Sequence, residues 1–216
     1  PAYRLSRHFN GRLRNYQQAG FRWLHFMQEY RLPGCLADDM GLGKTVQTLA
    51  LLQTLKDENR LKTSLLVVPV SAVPNWEMEI QKFTPGLTYY IYLGVARDKD
   101  TSRWENYDLL LTSYATLRND IEIFKNSQFD YIVLDESQNI KNLNSQVSKA
   151  VKILKGHHRL ALSGTPIENT SLELWSLFDF LMPGFLGTHE WFRQEWALPV
   201  EKYRDGIALL KEYGIL

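Results

Sequence analysis

The chain has 216 residues, 44% of them hydrophobic, which is enough for one large domain or two small ones with a true core. Its 25 Lys and Arg residues nearly balance its 24 Asp and Glu residues, so any nucleic-acid contact must come from a local patch rather than from bulk charge. The single cysteine, Cys35, excludes an internal disulfide framework and a cysteine-based zinc site, and the lack of a long apolar run argues against a membrane partner.

The first elements follow from the spacing of apolar residues. Residues 1–12 are polar and mixed and are interpreted as a lead-in. Apolar residues at three- and four-residue spacing then predict an amphipathic helix over 13–31. A short apolar run at 34–37 predicts a buried strand, and the apolar residues of 46–55 predict a mostly buried helix.

The sequence MGLGKT lies between this predicted strand and helix and is typical of the end of a phosphate-binding loop. Gly41 and Gly43 can adopt the positive φ angles that such a loop requires. Lys44 would supply a cation for the phosphates, and Thr45 a hydroxyl for Mg²⁺. The first glycine of the usual pattern is replaced by Asp38, so the motif by itself does not exclude a glycine turn that contains Gly-Lys-Thr by chance.

Further strands and helices alternate along the rest of the chain. Several strands are apolar throughout, which is typical of a parallel sheet that is covered by helices on both faces. The segment 94–106 is charged and is predicted to be a surface turn or short helix, with Arg97 to Asp100 solvated. The predicted strands are 63–69, 87–93, 107–114, 129–136 and 159–166, and the predicted helices are 71–83, 147–154 and one that begins at Thr170 and Glu173.

An acidic pair, Asp135 and Glu136, follows four apolar residues at the end of a predicted strand. An enzyme that hydrolyses nucleoside triphosphates needs one carboxylate near Mg²⁺ and another near the attacking water. Asp135 suits the metal and Glu136 suits the general base. The alternative is an ordinary strand that leaves the sheet through acidic residues. The phosphate loop in the same predicted sheet favours the catalytic interpretation, because ligands bind at the carboxyl ends of parallel strands.

With these motifs in place, the chain resembles the Swi/Snf family of helicase-like ATPases in helicase superfamily two. The resemblance implies a three-layer α/β fold, the RecA-like P-loop NTPase lobe, over 13–190. Residues 191–216 match no motif of the family; we expect them to form a helical extension toward a second RecA-like lobe that is absent here, and the alternative is that they are only an end of the chain. The matching segments are LRNYQQAGFRWL, LADDMGLGKTVQ, LVVPVSAVPNWEMEI, LLTSYATLRND, VLDESQNIKN and RLALSGTPIENTSLELWSLFDFLMPGFLG.

The resemblance also implies roles in binding ATP and Mg²⁺. Gln17 and Arg14 would contact the adenine, and the loop would hold the phosphates through Met40, Gly41, Leu42, Gly43, Lys44 and Thr45. Asp135 and Thr45 would bind the metal, Glu136 would activate water, and Gln138 would lie close to the γ-phosphate. Many relatives have Gly or Ala followed by His where this chain has Ser137 and Gln138, so the chain departs from the family pattern at these two positions.

A second group of roles concerns double-stranded DNA, the partner that the resemblance implies. Ser71 and Asn75, and then Thr112, Ser113 and Tyr114, match motifs that contact the backbone of one DNA strand. Ser163, Gly164 and Thr165 match the motif that links the state of ATP to DNA contact. Trp76 could face either the core or DNA, and we expect the core. The aromatic and aliphatic residues Trp175, Leu177, Phe178 and Leu181 are expected to be helix core.

The resulting prediction is the ATP-binding lobe of a DNA-dependent ATPase that moves along duplex DNA without separating the strands. Alternatives are a relative directed to RNA or RNA polymerase and a non-hydrolysing, nucleotide-gated module; a P-loop kinase is a weaker rival. We expect a cytoplasmic, nucleoid-associated protein in a prokaryote, which the compact lobe slightly favours, or a nuclear protein in a eukaryote.

Overall fold

The structure, a computed structural model, describes residues 3–165, 171–200 and 202–203. Its centre is a sheet of six strands: β1 (Gly34–Leu36), β2 (Ser64–Val68), β3 (Tyr89–Tyr92), β4 (Leu109–Ser113), β5 (Gln128–Leu134) and β6 (Lys155–Leu162). The strand order is β1-β6-β5-β2-β4-β3, and every neighbouring pair is parallel. The predicted α/β class is confirmed.

Helices cover both faces of the sheet, as the uninterrupted apolar strands require. The helices are α1 (Asn15–Glu29), α2 (Lys44–Asp57), α3 (Val73–Phe83), α4 (Tyr114–Asn119), α5 (Ile121–Phe124), α6 (Gln146–Lys152), α7 (Ser171–Leu181) and α8 (His189–Phe192). Alternate residues of each strand point to opposite faces. In β2, Leu66 and Val68 pack with α1, α2 and α3, whereas Leu65 and Val67 pack with α4 to α7.

The segment between β3 and β4 differs from its prediction. The side chain of Arg97 is only 14% exposed, because its Nε donates a hydrogen bond of 2.6 Å to Asp120 Oδ2. Tyr92 Oη donates to the same oxygen at 2.8 Å, and Trp104 packs against the rings of Tyr92 and Phe124. Arg97 therefore departs from the predicted solvated turn, whereas Asp98, Lys99 and Asp100 are exposed as predicted. The ion pair between the partly exposed Arg97 and the buried Asp120, together with the packing of Trp104, holds this segment against the lobe.

The C-terminal part of the lobe, as far as the structure describes it, consists of α7, α8 and a short stretch that follows them. Thr170, the expected start of a helix, lies outside the described residues, but α7 begins directly after it. Trp175, Leu177 and Leu181 of α7 are buried, which confirms them as core residues. Beyond α8, a π-helical stretch covers Arg193–Ala197, and most of the predicted extension after it is not described. Among the described residues, no helix is both long and apolar enough to cross a membrane.

Candidate nucleotide site

A cleft of about 250 Å³ opens at the carboxyl edge of the sheet. Three segments that are distant in sequence build it: the loop after β1, the start of α3 and the end of β5. The cleft therefore brings together the two motifs that the sequence placed about ninety residues apart. Its lining residues are Met40, Gly41, Gly43, Lys44, Thr45, Ala72, Asn75, Glu79, Asp135 and Glu136.

The loop after β1 has the backbone geometry of a phosphate cradle. Gly41 and Gly43 have φ angles of 81° and 82°, in the left-handed region that side chains disfavour. A Cβ atom on Gly43 would also lie 2.5 Å from Gln17 Nε2. Glycine at 43 is thus required by both conformation and space. The helix α2 starts at the next residue, so its N-terminal N–H groups face the cleft, where an anion is stabilised.

Lys44 lies inside the loop rather than in solvent. Only 8% of this residue is exposed, and its Nζ donates to the carbonyl oxygens of Asp38 and Asp39 at 2.8 and 3.2 Å. Asp38, which replaces the first glycine of the usual pattern, accepts a 2.9 Å hydrogen bond from Gln47 Nε2. The aspartate therefore ties the loop to α2, and the loop closes around the lysine without the missing glycine.

Gln17 lies beside the phosphate loop. Its Oε1 accepts a 2.9 Å hydrogen bond from the backbone N–H of Arg14, and its Nε2 donates to the Leu42 carbonyl at 3.1 Å. The side-chain amide thus connects the start of α1 to the phosphate loop. Arg14 is exposed, and contact of either residue with adenine stays a prediction.

Asp135 is held in place by two donors at the end of β5. The indole Nε1 of Trp76 donates to Oδ2 at 2.7 Å, and the Glu136 N–H donates to Oδ1 at 2.9 Å. Burial raises the pKa of the Asp135 carboxyl, and the charge of Glu136 adds to that rise, whereas the Trp76 hydrogen bond opposes it. Trp76 is only 1% exposed, which confirms that it faces the core.

Glu136 starts a chain of hydrogen bonds that leaves the cleft. Its backbone has a φ of 49°, unusual for a residue with a side chain. Gln138 Nε2 donates to Glu136 Oε2 at 2.6 Å, and Gln138 Oε1 accepts from Ser163 Oγ at 3.1 Å. Ser163 Oγ in turn accepts from the Thr165 N–H at 3.1 Å. The structure therefore connects the proposed base to all but one of the predicted coupling residues.

Gly164, the remaining coupling residue, packs against the phosphate loop. A Cβ atom there would lie 3.2 Å from Met40 Cγ and 3.6 Å from the Met40 nitrogen. The turn after β6 and the phosphate loop thus touch directly. A change in the phosphate loop would reach this turn through Gly164, whereas a change at Glu136 would reach it through Gln138 and Ser163.

The five predicted DNA contacts fall into two groups. Ser71, in the turn before α3, and Asn75, in the first turn of α3, are exposed. By contrast, Thr112, Ser113 and Tyr114 are 0%, 4% and 6% exposed. Their side chains bond inside the lobe, to the Tyr92 carbonyl, to Thr116 in the first turn of α4 and to the Asp135 carbonyl. Direct contact of these three side chains with DNA is therefore corrected to a structural role, because burial removes them from the surface.

Sequence reasoning missed Glu79, which lines the cleft from α3, and Ala72, which lines it from the turn just before α3. A signal for Glu79 was present: it follows Asn75 and Trp76 at four- and three-residue spacing, so the three share one helix face. The sequence alone does not show that this face meets the end of β5. Only the packing of α3 beside β2 brings Glu79 to the acidic pair.

The oxygens in the cleft suit Mg²⁺. This ion prefers oxygen ligands and is usually bound by one or two carboxylates together with water and phosphate. Thr45, Asp135 and Glu136 present such oxygens around Lys44, and one buried oxygen of Glu79 has no hydrogen-bond partner in the described part of the chain. Within the described part of the chain, no group of three His, Cys, Asp or Glu residues could hold a metal by itself. The donor set thus fits an ion that arrives with phosphate.

Comparison with known proteins shows the family to which the chain belongs. The profile described as the SNF2-related domain matches residues 16–213. YwqA of Bacillus subtilis is 44% identical over 209 residues, which cover 95% of this chain and 23% of that protein. The TATA-binding protein-associated factor MOT1 of Saccharomyces cerevisiae is 44% identical over 214 residues, which cover 93% of this chain and 12% of that protein. The chain thus spans less than a quarter of these relatives, and their bacterial and eukaryotic sources leave the expected compartment a prediction.

A solved structure extends the comparison to the fold. The Sulfolobus solfataricus SWI2/SNF2 ATPase core in complex with double-stranded DNA has a TM-score of 0.85 and 44% identity, and the match covers 93% of this chain and 42% of that one. The match of sequence and fold extends over nearly all of this chain. The chain therefore belongs to the SNF2-related domain family, and its fold is the RecA-like lobe of a SWI2/SNF2 ATPase core.

Proposed function

We propose that this chain is the ATP-binding lobe of a DNA-dependent ATPase that moves along duplex DNA without separating its strands. One observation carries the proposal: a single cleft contains the phosphate loop and the acidic pair, and a hydrogen-bond chain leads from it to Thr165. A lobe that only bound nucleotide would not need a carboxylate poised as a base or a connection away from it.

The residues of the cleft have different roles in ATP binding and hydrolysis. Lys44 and the N–H groups at the start of α2 bind phosphate oxygens, and Lys44 exchanges its bonds to the Asp38 and Asp39 carbonyls for them. Mg²⁺, when bound with ATP, supplies positive charge against the phosphates. Glu136 orients the attacking water and accepts its proton, and Gln138 fixes the carboxylate that does so.

A second lobe is needed for turnover. The chain matches only 42% of the solved ATPase core, so the other side of the cleft would come from the remainder of such a core. An arginine that reaches across an interface typically accelerates phosphoryl transfer by about 10³-fold to 10⁵-fold. We therefore expect this lobe to bind ATP but to hydrolyse it barely above background.

Duplex DNA is the proposed partner, as in the Sulfolobus solfataricus complex. Ser71 is exposed in the turn between β2 and α3, and Asn75 is exposed in the first turn of α3, the helix that also reaches Asp135 through Trp76. Polar side chains and backbone N–H groups at such a site contact phosphates and carry no base preference. Binding should therefore be weak for this lobe alone, salt-dependent and nearly independent of sequence.

The test compares steady-state ATP hydrolysis by this chain and by the same chain joined to a second lobe. Each is assayed without nucleic acid and with duplex DNA, single-stranded DNA or RNA. We expect turnover and duplex stimulation only in the two-lobe chain. A triplex-displacement assay then reports movement, and a forked duplex reports strand separation, which should not occur. Brisk turnover by this chain alone, or stimulation by RNA instead of duplex DNA, would refute the proposal.

A further inference from the structure

Glu79 is a third carboxylate in the cleft, beside the two that the acidic pair supplies. Asn75 Nδ2, one turn earlier on α3, donates to Glu79 Oε1 at 3.1 Å. The other oxygen, Oε2, is buried and has no hydrogen-bond partner among the residues that the structure describes. Glu79 is thus oriented by a neighbour on its own helix and retains one free acceptor.

A buried carboxylate oxygen without a partner is costly, so its presence calls for a ligand that satisfies it. Burial raises the pKa of Glu79, and the nearby charge of Asp135 adds to that rise. The neighbouring acid on the same helix behaves differently: Glu77 accepts a 3.0 Å hydrogen bond from Tyr89 Oη and does not line the cleft. The free acceptor therefore belongs to the face that meets the nucleotide site.

The chemistry of the cleft identifies the ligand class. A free carboxylate oxygen repels phosphate oxygens, so it does not serve the nucleotide directly. Mg²⁺ keeps several of its waters when it binds with phosphate, and each such water has O–H groups to donate. Among the described residues, no three acidic side chains lie close enough together to bind the ion by themselves. We therefore place Glu79 outside the group of direct Mg²⁺ ligands.

We propose that Glu79, oriented by Asn75, accepts hydrogen bonds from the water shell of the Mg²⁺ that enters with ATP. Glu79 is thus a positioning residue for the hydrated ion, and the inference rests on the proposed ATP-binding function. Its carboxylate favours the hydrated cation and disfavours bare ATP. Removing the charge should therefore weaken the link between Mg²⁺ and ATP rather than weaken ATP binding in general.

The experiment measures binding of a fluorescent ATP analogue by the chain and by Glu79→Gln, with excess Mg²⁺ and with EDTA. The ratio of the two dissociation constants gives the gain in affinity that Mg²⁺ confers. Partners in the outer shell of a metal typically account for about 10-fold to 100-fold of its affinity. We expect the gain in affinity that Mg²⁺ confers to be about 10-fold to 100-fold smaller in Glu79→Gln than in the unaltered chain. Its affinity for the analogue in EDTA should be unchanged or higher.

Glu77→Gln is the matched control, because it removes the same charge from the same helix outside the cleft. Its Mg²⁺ gain should equal that of the unaltered chain. An unchanged gain in Glu79→Gln, or an equal loss of affinity with and without Mg²⁺, would overturn the inference. Failure of the unaltered chain to bind the analogue at all would instead overturn the proposed function, and this inference with it.

Discussion

Trp76 Nε1 donates a 2.7 Å hydrogen bond to Asp135 Oδ2 and so joins α3 to the end of β5 within the cleft. Trp76→Phe keeps an aromatic ring in the core but leaves the buried carboxylate without this donor. We expect the free energy of unfolding to fall by about 1–3 kcal/mol from this loss, and Mg²⁺-dependent ATP binding to weaken. Urea unfolding and nucleotide titration measure the two effects.

The chain provides a matched control for this change. Trp104 is also buried, but its Nε1 has no hydrogen-bond partner among the described residues. Trp104→Phe therefore makes the buried ring smaller but breaks no hydrogen bond. It also removes a buried N–H donor that has no acceptor among the described residues. It should destabilise the lobe less and leave nucleotide binding unchanged. Equal effects of the two substitutions would show that the Trp76 hydrogen bond contributes nothing.

Lys44→Ala tests the phosphate cradle. The substitution removes the one side-chain cation that the loop surrounds, and charge-assisted contacts are worth about 1.5–3 kcal/mol. We expect ATP affinity to fall by about tenfold to hundredfold in equilibrium binding. Lys62→Ala, at an exposed lysine outside the cleft, should bind like the unaltered chain. Normal affinity of a folded Lys44→Ala protein would be inconsistent with the cradle.

Glu136→Gln separates binding from chemistry. The amide keeps the size of the side chain and can still pair with Gln138, but it cannot accept a proton from water. In the two-lobe chain, ATP binding should survive while turnover falls by about 10²–10⁴. Single-turnover hydrolysis and nucleotide titration provide the measurements. A parallel loss of binding and turnover would assign Glu136 to the metal or to the fold instead.

The exposed and buried members of the predicted DNA set should behave differently. Ser71→Ala and Asn75→Ala should weaken duplex binding equally on unrelated sequences, because they remove phosphate contacts. Ser113→Ala should instead lower the unfolding free energy by about 1 kcal/mol, since Ser113 caps α4 through Thr116. Fluorescence anisotropy at several salt concentrations is the measurement. A sequence-specific loss, or a DNA defect only in Ser113→Ala, would contradict this division.

Asp120 should make stability depend on pH. The hydrogen bond from Arg97 is the main cause that lowers the pKa of Asp120 from 3.8 to about 2. A lowered folded-state pKa stabilises the lobe above the unfolded-state value, and that stabilisation is lost as the pH falls toward 2. The shift corresponds to about 2 kcal/mol at neutral pH.

Urea unfolding of the chain and of Asp120→Asn between pH 3 and pH 7 tests this linkage. The difference between them should be largest near neutrality and should shrink below about pH 4. Asp98→Asn, at an exposed acid in the same segment, should show almost no difference. A constant gap between the chain and Asp120→Asn across this range would mean that Asp120 is not linked to folding through its charge.

The sequence by itself determined the elements and the chemistry that each one carries. Uniformly apolar strands, alternating with helices, require a parallel sheet covered on both faces, and ligands then bind at its carboxyl edge. The glycines before Lys44 require a positive-φ loop, and Asp135 and Glu136 follow a buried strand. These features are local, so backbone conformation and periodicity express them directly.

Tertiary structure alone decided which side chains meet. The order of strands places the end of β5 beside β2, and only this placement brings Trp76 and Glu79 to the acidic pair. The same packing buries Thr112 and Tyr114, whose polar types suggest a surface, and pairs Arg97 with Asp120 across a loop. Burial and pairing depend on neighbours that are distant in the chain, and no local pattern of residues contains that information.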